Sequence, residues 1–600
     1  MTIRSAHVNG HGHGHAAPSH ASPRTGHLRI AIIGAGASGL IFAYKLRKHL
    51  KDHVDFVIYE KNPDLGGTWY ENRYPGCACD VPSHVYQFPF APNPSWSQFY
   101  ASSTEIHSYF KHVAQHYGLE QFVRYGSEVV SARWADAAAT WALEIAGEPG
   151  SLEYDVLVNA GGILNNPHQP GIEGYDTFAG PRLHTAAWDA GVDLAGKRVA
   201  VIGAGASAVQ LLPKIAPLAG HVDVYIRTPS WITPPVAAPP DAKSANHEYS
   251  PEEQEGFRWN DSAYLAKRKE MEDHFNGSFA MFRRGSAQQV ELRAQLEARM
   301  KTLIADPALR EMLIPKFEVG CRRINPGEPY LAALQEPTVQ PVFEPIERIT
   351  PRGVVVKRAG GREGEGGSRE ERPADVIIAA TGFNTSFRPR FPIIGRGGVN
   401  LQDEWAREPV SYMGTGVAGY PNYLMFLGPN TPIANGSVMG TLDATSDYFI
   451  RLLRKMIRQK VVSFDVRRDA QHDFDVHTQE FMKQMVWTGA CRSWYKSNET
   501  GRISAIWPGS TLHYMQTLAE DRWEDYEWTH SQERFSYWAG GVSWVEDRAA
   551  DMLGFEARES AETCRTIPRP DSDLSFYLYE STPLPRRRPS GNLDGLVVPV

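Results

Sequence analysis

Two glycine-rich turns carry the most evident chemistry in this chain. The first reads Gly34-x-Gly36-x-x-Gly39 within LRIAIIGAGASGLIFAYKL, and the second reads Gly203-x-Gly205-x-x-Ala208 within KRVAVIGAGASAVQLLPKI. Each comes after an apolar run and opens a stretch with helical spacing. In that setting the first glycine permits a tight turn and the second lets the backbone approach a pyrophosphate. The third small residue lets helix and strand pack closely. The helix N-termini, with Ser38 in the first and Ala206 and Ser207 in the second, then present orphan amides and a positive dipole end to the phosphates. A lone GxGxxG is a weak signal, and the strand–turn–helix context is what strengthens it.

The strands after the two turns end in charges of opposite sign. The strand VDFVIYE ends at Glu60, 21 residues beyond Gly39. A carboxylate there accepts hydrogen bonds from both ribose hydroxyls and repels a 2′-phosphate, which suits FAD or NAD and not NADP. The strand HVDVYIRT ends instead in Arg227-Thr228. A guanidinium at that place can bind a 2′-phosphate bidentately. A surface glutamate and a solvated arginine are the plain alternatives. One phosphorylated and one unphosphorylated dinucleotide is the simplest pairing, with FAD on the first unit and NADPH on the second. An old duplication with one idle copy is the other reading.

These turns need elements to hold them. The pattern predicts an α/β chain of two Rossmann-like dinucleotide-binding domains with a helical insertion in the second. Residues 27–165 read as the first part of the FAD domain, with DVLVNAGG (155–162) as its last strand. Residues 166–240 and 316–390 read as the NADP domain, and 241–315 as the helical insertion. There Leu292, Leu296, Met300 and Leu303 recur at helical spacing as ordinary core. IERIT–PRG–VVVK reads as a hairpin, AGGREGEGGSREER as a flexible loop and PADVIIAATGF as a buried strand. Residues 391–510 complete the FAD domain and supply substrate loops. From about residue 510 the pattern weakens into a C-terminal extension (511–600) that includes an extended PLPRRRPSG segment. The His-rich residues 1–26 read as a disordered tail rather than a metal site.

Composition removes several classes of function. A net charge of −7 with mixed signs argues against a nucleic-acid binder. Five cysteines are few for 600 residues, and with no apolar leader they favour a reducing, cytoplasmic setting. Cys77 and Cys79 lack the second pair that structural zinc requires. They also lack the spacing of a disulfide-reductase couple. No apolar run is long enough to span a membrane. A G-x-S-x-G elbow and a P-loop are both absent.

Between the two units lies FAGPRLHTAAWD (178–189). It resembles F-x-G-x-x-x-H-x-x-x-W-[P/D], the fingerprint of the Baeyer–Villiger monooxygenases. GGTWYENRYPG (66–76) with Cys79-Asp80, GCRR (320–323), ATGF (380–383) and GPN (428–430) resemble further motifs of that family, in family order. The resemblance implies a single-chain enzyme using NADPH, FAD and dioxygen. A peroxide at flavin C4a would attack a small-molecule ketone and give an ester or lactone.

The resemblance also assigns residues. Arg323 matches the active-site arginine, which would stabilise anionic oxygen in a site that excludes water. Asp80 matches the carboxylate that pairs with it beside the flavin; without the resemblance it would read equally well as a turn residue. Arg322 matches a basic contact to the 2′-phosphate. Thr68, Trp69 and Tyr86 match flavin contacts, and Trp494 and Tyr495 match a mobile loop over nicotinamide and substrate. His184 and Trp188 read as linker residues that couple domain motion or simply pack. Two departures stand out: Asn159-Ala160-Gly161-Gly162 replaces an A-T-G, and Cys77-Ala78 replaces a more usual Ala-Arg. The heteroatom-oxidising flavin monooxygenases and a non-catalytic flavoprotein are the alternatives. By analogy with fungal secondary-metabolism members, the ketone is expected to be a bulky polyketide or terpenoid. Trp405, Tyr412, Tyr420 and Phe426 could line its pocket or pack the core.

Overall fold

A computed structural model describes residues 27–235, 246–358, 368–432, 434–538, 540–541 and 575. The His-rich segment 1–26 and the PLPRRRPSG segment lie outside these residues, as does the glycine run 359–367. The described chain up to Arg534 belongs to one unit. A second unit begins at Phe535, and of it a short 3₁₀ turn, Ser536–Trp538, is described.

Short, nearly continuous apolar runs become parallel strands covered on both faces. In chain order they are β1 (Leu28–Ile33), β2 (Val54–Tyr59), β3 (Val123–Arg124), β4 (Val156–Asn159), β5 (Arg182–His184), β6 (Arg198–Ile202), β7 (His221–Tyr225), β8 (Val339–Val342), β9 (Val376–Ala379) and β10 (Tyr423–Met425). Three helices matter most for the site: α1 (Ala37–Leu50), α2 (Ala206–Ile215) and α3 (Val438–Arg458). The first sheet has the order β10-β4-β1-β2-β3 and the second β8-β7-β6-β9-β5. All pairings within both are parallel. Each glycine turn therefore sits at the carboxyl end of a central strand, where open parallel sheets bind ligands.

The sequence pattern places the last strand of the first sheet at 155–162, and the structure adds β10 outside it. The reason is burial: Val156, Leu157 and Val158 are wholly shielded, so β4 needs a neighbour on its outer side. Helix α3 packs on α1, with the Phe42 and Phe449 rings edge-on at 5.8 Å. Between these helices Lys45 is buried, and its ammonium donates to Asp443 (3.0 Å) and Asp447 (2.7 Å).

Helices Pro251–Trp259, Asp261–Asn276, Ala287–Leu303 and Pro307–Leu313 fill the interval between the two parts of the second sheet. Ser250 and Glu253 form a reciprocal capping box at the start of the first. Leu296 and Met300 are buried, with Leu292 and Leu303 packed beside them, as a core stripe requires.

Two local expectations are corrected. The SREER end of the expected loop is not loop: Arg369–Pro373 is a strand, antiparallel to Gly353–Lys357. Its side chains make surface ion pairs with the other two parts of the hairpin, Arg369 with Glu347 (2.7 Å) across the central strand and Glu371 with Arg352 of the turn (2.9 Å). Order also continues past residue 510. Helix Thr511–Ala519 packs on α3, and strand Tyr526–His530 pairs with Val461–Val466. Tyr514 and Tyr526 are buried there, anchoring the segment through aromatic contacts that its polar pattern conceals. Among the described residues no helix is long and apolar enough to cross a membrane.

Candidate functional site

The first turn is built as its residues demand. Gly34 has φ +103°, and a Cβ there would lie 2.8 Å from the Ala160 carbonyl oxygen. A side chain at Gly39 would collide with the Gly34 carbonyl. Glu60 is buried at the end of β2, where its carboxylate accepts from the Ala35 amide (2.8 Å) and from both nitrogens of Asn62 (2.9 Å each). Glu60 therefore also closes the turn, a role the motif alone does not reveal. A carboxylate has about four lone-pair sites, so one remains for a ribose hydroxyl. Burial pushes the Glu60 carboxyl up, and the Ala35 and Asn62 amides offset part of that.

From this turn a cavity of about 530 Å³ runs along the sheet edge. Gly34, Gly36, Ser38, Glu60, Thr68, Trp69 and Tyr86 all line it. The Trp69 indole donates to the Tyr86 hydroxyl (3.1 Å), which sets the two rings edge-on at 5.4 Å. Trp405 and Phe426 also line this cavity, whereas Tyr412 and Tyr420 are buried in the core. Asn165, Arg388 and Arg390 are lining residues with no sequence signal, because they come from irregular segments brought in by the packing of distant parts of the chain. The volume and the Gly34, Gly36, Gly66 and Gly67 lining fit FAD.

Asp80 and Arg323 are 243 positions apart and meet as a bidentate pair. Arg323 Nε donates to Oδ2 and Nη2 to Oδ1, both at 2.6 Å. Burial alone would push the Asp80 carboxyl up; the Arg323 guanidinium outweighs it and holds the group below its usual range. Asp80, conversely, raises the Arg323 guanidinium against the effect of burial. The pair is still reachable, with side chains 39% (Arg323) and 21% (Asp80) exposed.

Asp80 is placed by the second dinucleotide-binding fold. Gln210 on α2 accepts from the Tyr74 hydroxyl (2.7 Å) and donates to the Ala78 carbonyl (2.9 Å). The 74–80 segment is thereby fastened to the helix that the second turn opens. Arg323 is placed by the insertion: Gln289 on Ala287–Leu303 is buried and donates to the Val319 carbonyl at 2.8 Å.

The second turn, Gly203 to Gly205, opens α2, with Ala206 and Ser207 in its first turn and Ala208 fully buried against the sheet. Arg227 and Thr228 come just after β7. Arg322 donates to the Thr228 carbonyl (3.3 Å) and lies close to Arg227. Burial and then the like charge of Arg227 lower the Arg322 guanidinium from its ordinary value. Among the described residues neither arginine has a carboxylate partner. Two cations held together in this way suit a dianionic phosphate.

His184 is not in a free linker. It ends β5, an edge strand of the second sheet, with Nδ1 accepting from the Ala186 amide at 3.0 Å. Burial lowers its imidazole. Trp188 packs against the core of the same sheet.

The cysteines depart from what a reducing setting leads one to expect. Cys321 and Cys491 form a disulfide with a Cα separation of 6.2 Å, across 170 positions. Cys77 and Cys79 are free and buried, and burial pushes both thiols up. The disulfide brings the loop carrying Trp494 and Tyr495 to the GCRR segment. Tyr495 is buried there and lies close to Arg323.

Residues 32–103 match the family of NAD(P)-binding Rossmann-like domains. Over 541 residues the chain is 42% identical to the FAD-binding monooxygenase moxY of Dothistroma septosporum, covering 88% of this chain and 84% of that one. It is 36% identical to a Baeyer–Villiger monooxygenase of Streptomyces coelicolor, covering 81% of this chain and 90% of that one. The closed crystal structure of cyclohexanone monooxygenase superposes with a TM-score of 0.72 at 26% identity, covering 84% of this chain and all of that one. Fold and site together define a flavin monooxygenase with two dinucleotide-binding units. The chain belongs to the FAD-binding monooxygenase family, in its Baeyer–Villiger branch.

Proposed function

We propose that this protein is a cytoplasmic Baeyer–Villiger monooxygenase that binds FAD on its first unit and NADPH on its second. It converts a bulky polyketide or terpenoid ketone, with dioxygen, NADPH and a proton, into an ester or lactone, water and NADP⁺. The observation that carries this reading is the bidentate Asp80–Arg323 pair between the two dinucleotide sites.

When bound, FAD would supply the redox chemistry toward dioxygen, with NADPH as the source of reducing equivalents. The chain's own residues do the rest. Gly34, Gly36, Ser38 and Gly39 shape the diphosphate cradle of the first site, and Glu60 takes a ribose hydroxyl. Thr68, Trp69 and Tyr86 line the space toward the flavin ring. Gly203, Gly205, Ala206, Ser207 and Ala208 shape the second cradle, and Arg227, Thr228 and Arg322 surround the 2′-phosphate. Arg323 is a permanent cation at the oxygenation site. It favours negative charge on oxygen, first on the nucleophile and then on the tetrahedral adduct of the ketone. Asp80 orients the guanidinium and limits its unpaired charge.

A heteroatom oxygenase needs its oxidant protonated and electrophilic, which a fixed cation opposes. The size of the expected ketone rests on the fungal relatives, of which moxY is one. Arg323→Ala tests the reading. Flavin reduction by NADPH is expected to persist, while ester formation from a panel of cyclic and fused-ring ketones falls by about 10²–10³. Ester formation at the wild-type rate would reject the role of Arg323. Sulfoxide or N-oxide as the main product of the wild type would favour the heteroatom reading.

A further inference from the structure

We propose that the Cys321–Cys491 disulfide is a latch that holds the 491–506 loop closed against Arg323, making Tyr495 a positioning residue for the oxygenation site. This rests on the reading of Arg323 given above.

The loop has two anchors of different kinds. At its far end buried Asn430 holds it by three bonds: its side chain donates to the Ile503 (3.0 Å) and Ile506 (2.9 Å) carbonyls, and its backbone amide donates to the Ser504 carbonyl (2.7 Å). Gln479 adds a bond to the Ile503 carbonyl at 2.9 Å. Between the anchors the Tyr495 carbonyl accepts from the Ser504 and Ala505 amides (3.2 Å each), and Arg502 pairs with Asp475 of helix Arg468–Met482. Lys496 and Ile503 form an antiparallel bridge, and Ser497 and Arg502 pair through the backbone at 2.9 Å. The hairpin is fixed on its Asn430 side, and its 491 side continues from the buried Val486–Thr488 turn. At that near end the disulfide ties it to the residue that precedes Arg322 and Arg323. Tyr495, four positions after Cys491, is thereby kept close to the Arg323 segment.

The packing around the sulfurs is tight. A Cβ on Gly489 would sit 3.3 Å from Cys321 Sγ and against the Glu318 carboxylate, so the chain crosses the bond without a gap. Cys321 is fully buried and Cys491 is 3% exposed. Thiols in solution therefore reach this bond only when the loop opens, which lets it persist in a reducing compartment. Reduction by a dithiol breaks the one S–S bond and delivers two electrons and two protons to the two sulfurs. The dithiol leaves as its cyclic disulfide.

The test uses the full-length holoenzyme. Trypsin without reductant is expected to release FEVGCR (317–322) joined to QMVWTGACR (484–492), and dithiothreitol is expected to separate them. Separate peptides in the unreduced map would overturn the latch. In Cys491→Ser, flavin reduction by NADPH should stay within about 2-fold of wild type, while hydrogen peroxide release in the absence of ketone rises about 10-fold. Tryptic nicking after Arg492 and Lys496 should quicken as well. Tyr495→Phe should raise peroxide release with the disulfide intact and nicking unchanged. Dithiothreitol-treated wild type repeats the Cys491→Ser measurement if that variant does not fold. Unchanged peroxide release in both would sink the proposal. None of these readouts needs a ketone, so the assignment of ester formation stands or falls separately.

Discussion

At the residue scale, charge sign separates the two dinucleotide sites. Glu60 directly follows its strand and Arg227 lies one position further beyond the corresponding strand, where Ile226 is the counterpart of Glu60; the structure adds Arg322 beside Arg227. Arg227→Ala should raise KM for NADPH about 10-fold and leave KM for NADH nearly unchanged. Equal effects on both, measured by steady-state kinetics, would remove the 2′-phosphate assignment. Asp80 is held ionised by Arg323, so its carboxyl does not set a pH dependence in the neutral range. In Asp80→Asn the guanidinium keeps one acceptor and loses its counter-charge. Flavin reduction and oxygenation should both slow, by about 10-fold. A variant with normal rates in rapid mixing would show that the pair is dispensable. The fingerprint histidine illustrates the opposite case: His184 is prominent in the motif, yet in the fold it finishes a strand edge.

At the element scale, the helical insertion positions Arg323 through Gln289 and carries a titratable group of its own. Burial pushes Glu272, on helix Asp261–Asn276, up to about 7, and Arg268 offsets part of that. A carboxyl whose folded pKa lies above its unfolded value favours the folded state at low pH. That advantage is lost as pH rises from about 4.5 through 7. The loss amounts to roughly 1–3 kcal/mol. Glu272→Gln should therefore raise Tm at about pH 8 and change it little at about pH 5. A Tm shift of the same size at both values would show that the carboxyl is already ionised in the folded protein. The element boundaries were legible wherever apolar runs met glycine turns, as at Gly34 and Gly203. They were not legible at Arg369–Pro373 or Tyr526–His530, where pairing with another strand outweighs a polar composition.

At the scale of the whole molecule, α2 joins the segment carrying Asp80 to the second dinucleotide-binding unit. Gln210 is the contact that holds Tyr74 and Ala78, and so Asp80, against the second sheet's helix. Gln210→Leu keeps the volume but leaves the Ala78 carbonyl and the Tyr74 hydroxyl without this partner. FAD content should be normal, whereas the rate of flavin reduction at saturating NADPH should fall about 10-fold. An unchanged rate would place the coupling elsewhere.

The sequence by itself determined the two βα turns, the opposite charges that follow their second strands, and the family motifs. These are local: a glycine turn, a strand and the residue that ends it lie within a short stretch and are set by sterics and charge. The resemblance had already paired Asp80 with Arg323; tertiary structure alone decided that the pair is bidentate, that β10 completes the first sheet, and that Glu60 closes the turn beside it. It also decided that Cys321 meets Cys491. Each of these joins residues far apart in the chain, or commits a side chain to a backbone group that only the folded turn presents. Neither periodicity nor spacing encodes such meetings, because they depend on how two sheets and an insertion pack around one cleft.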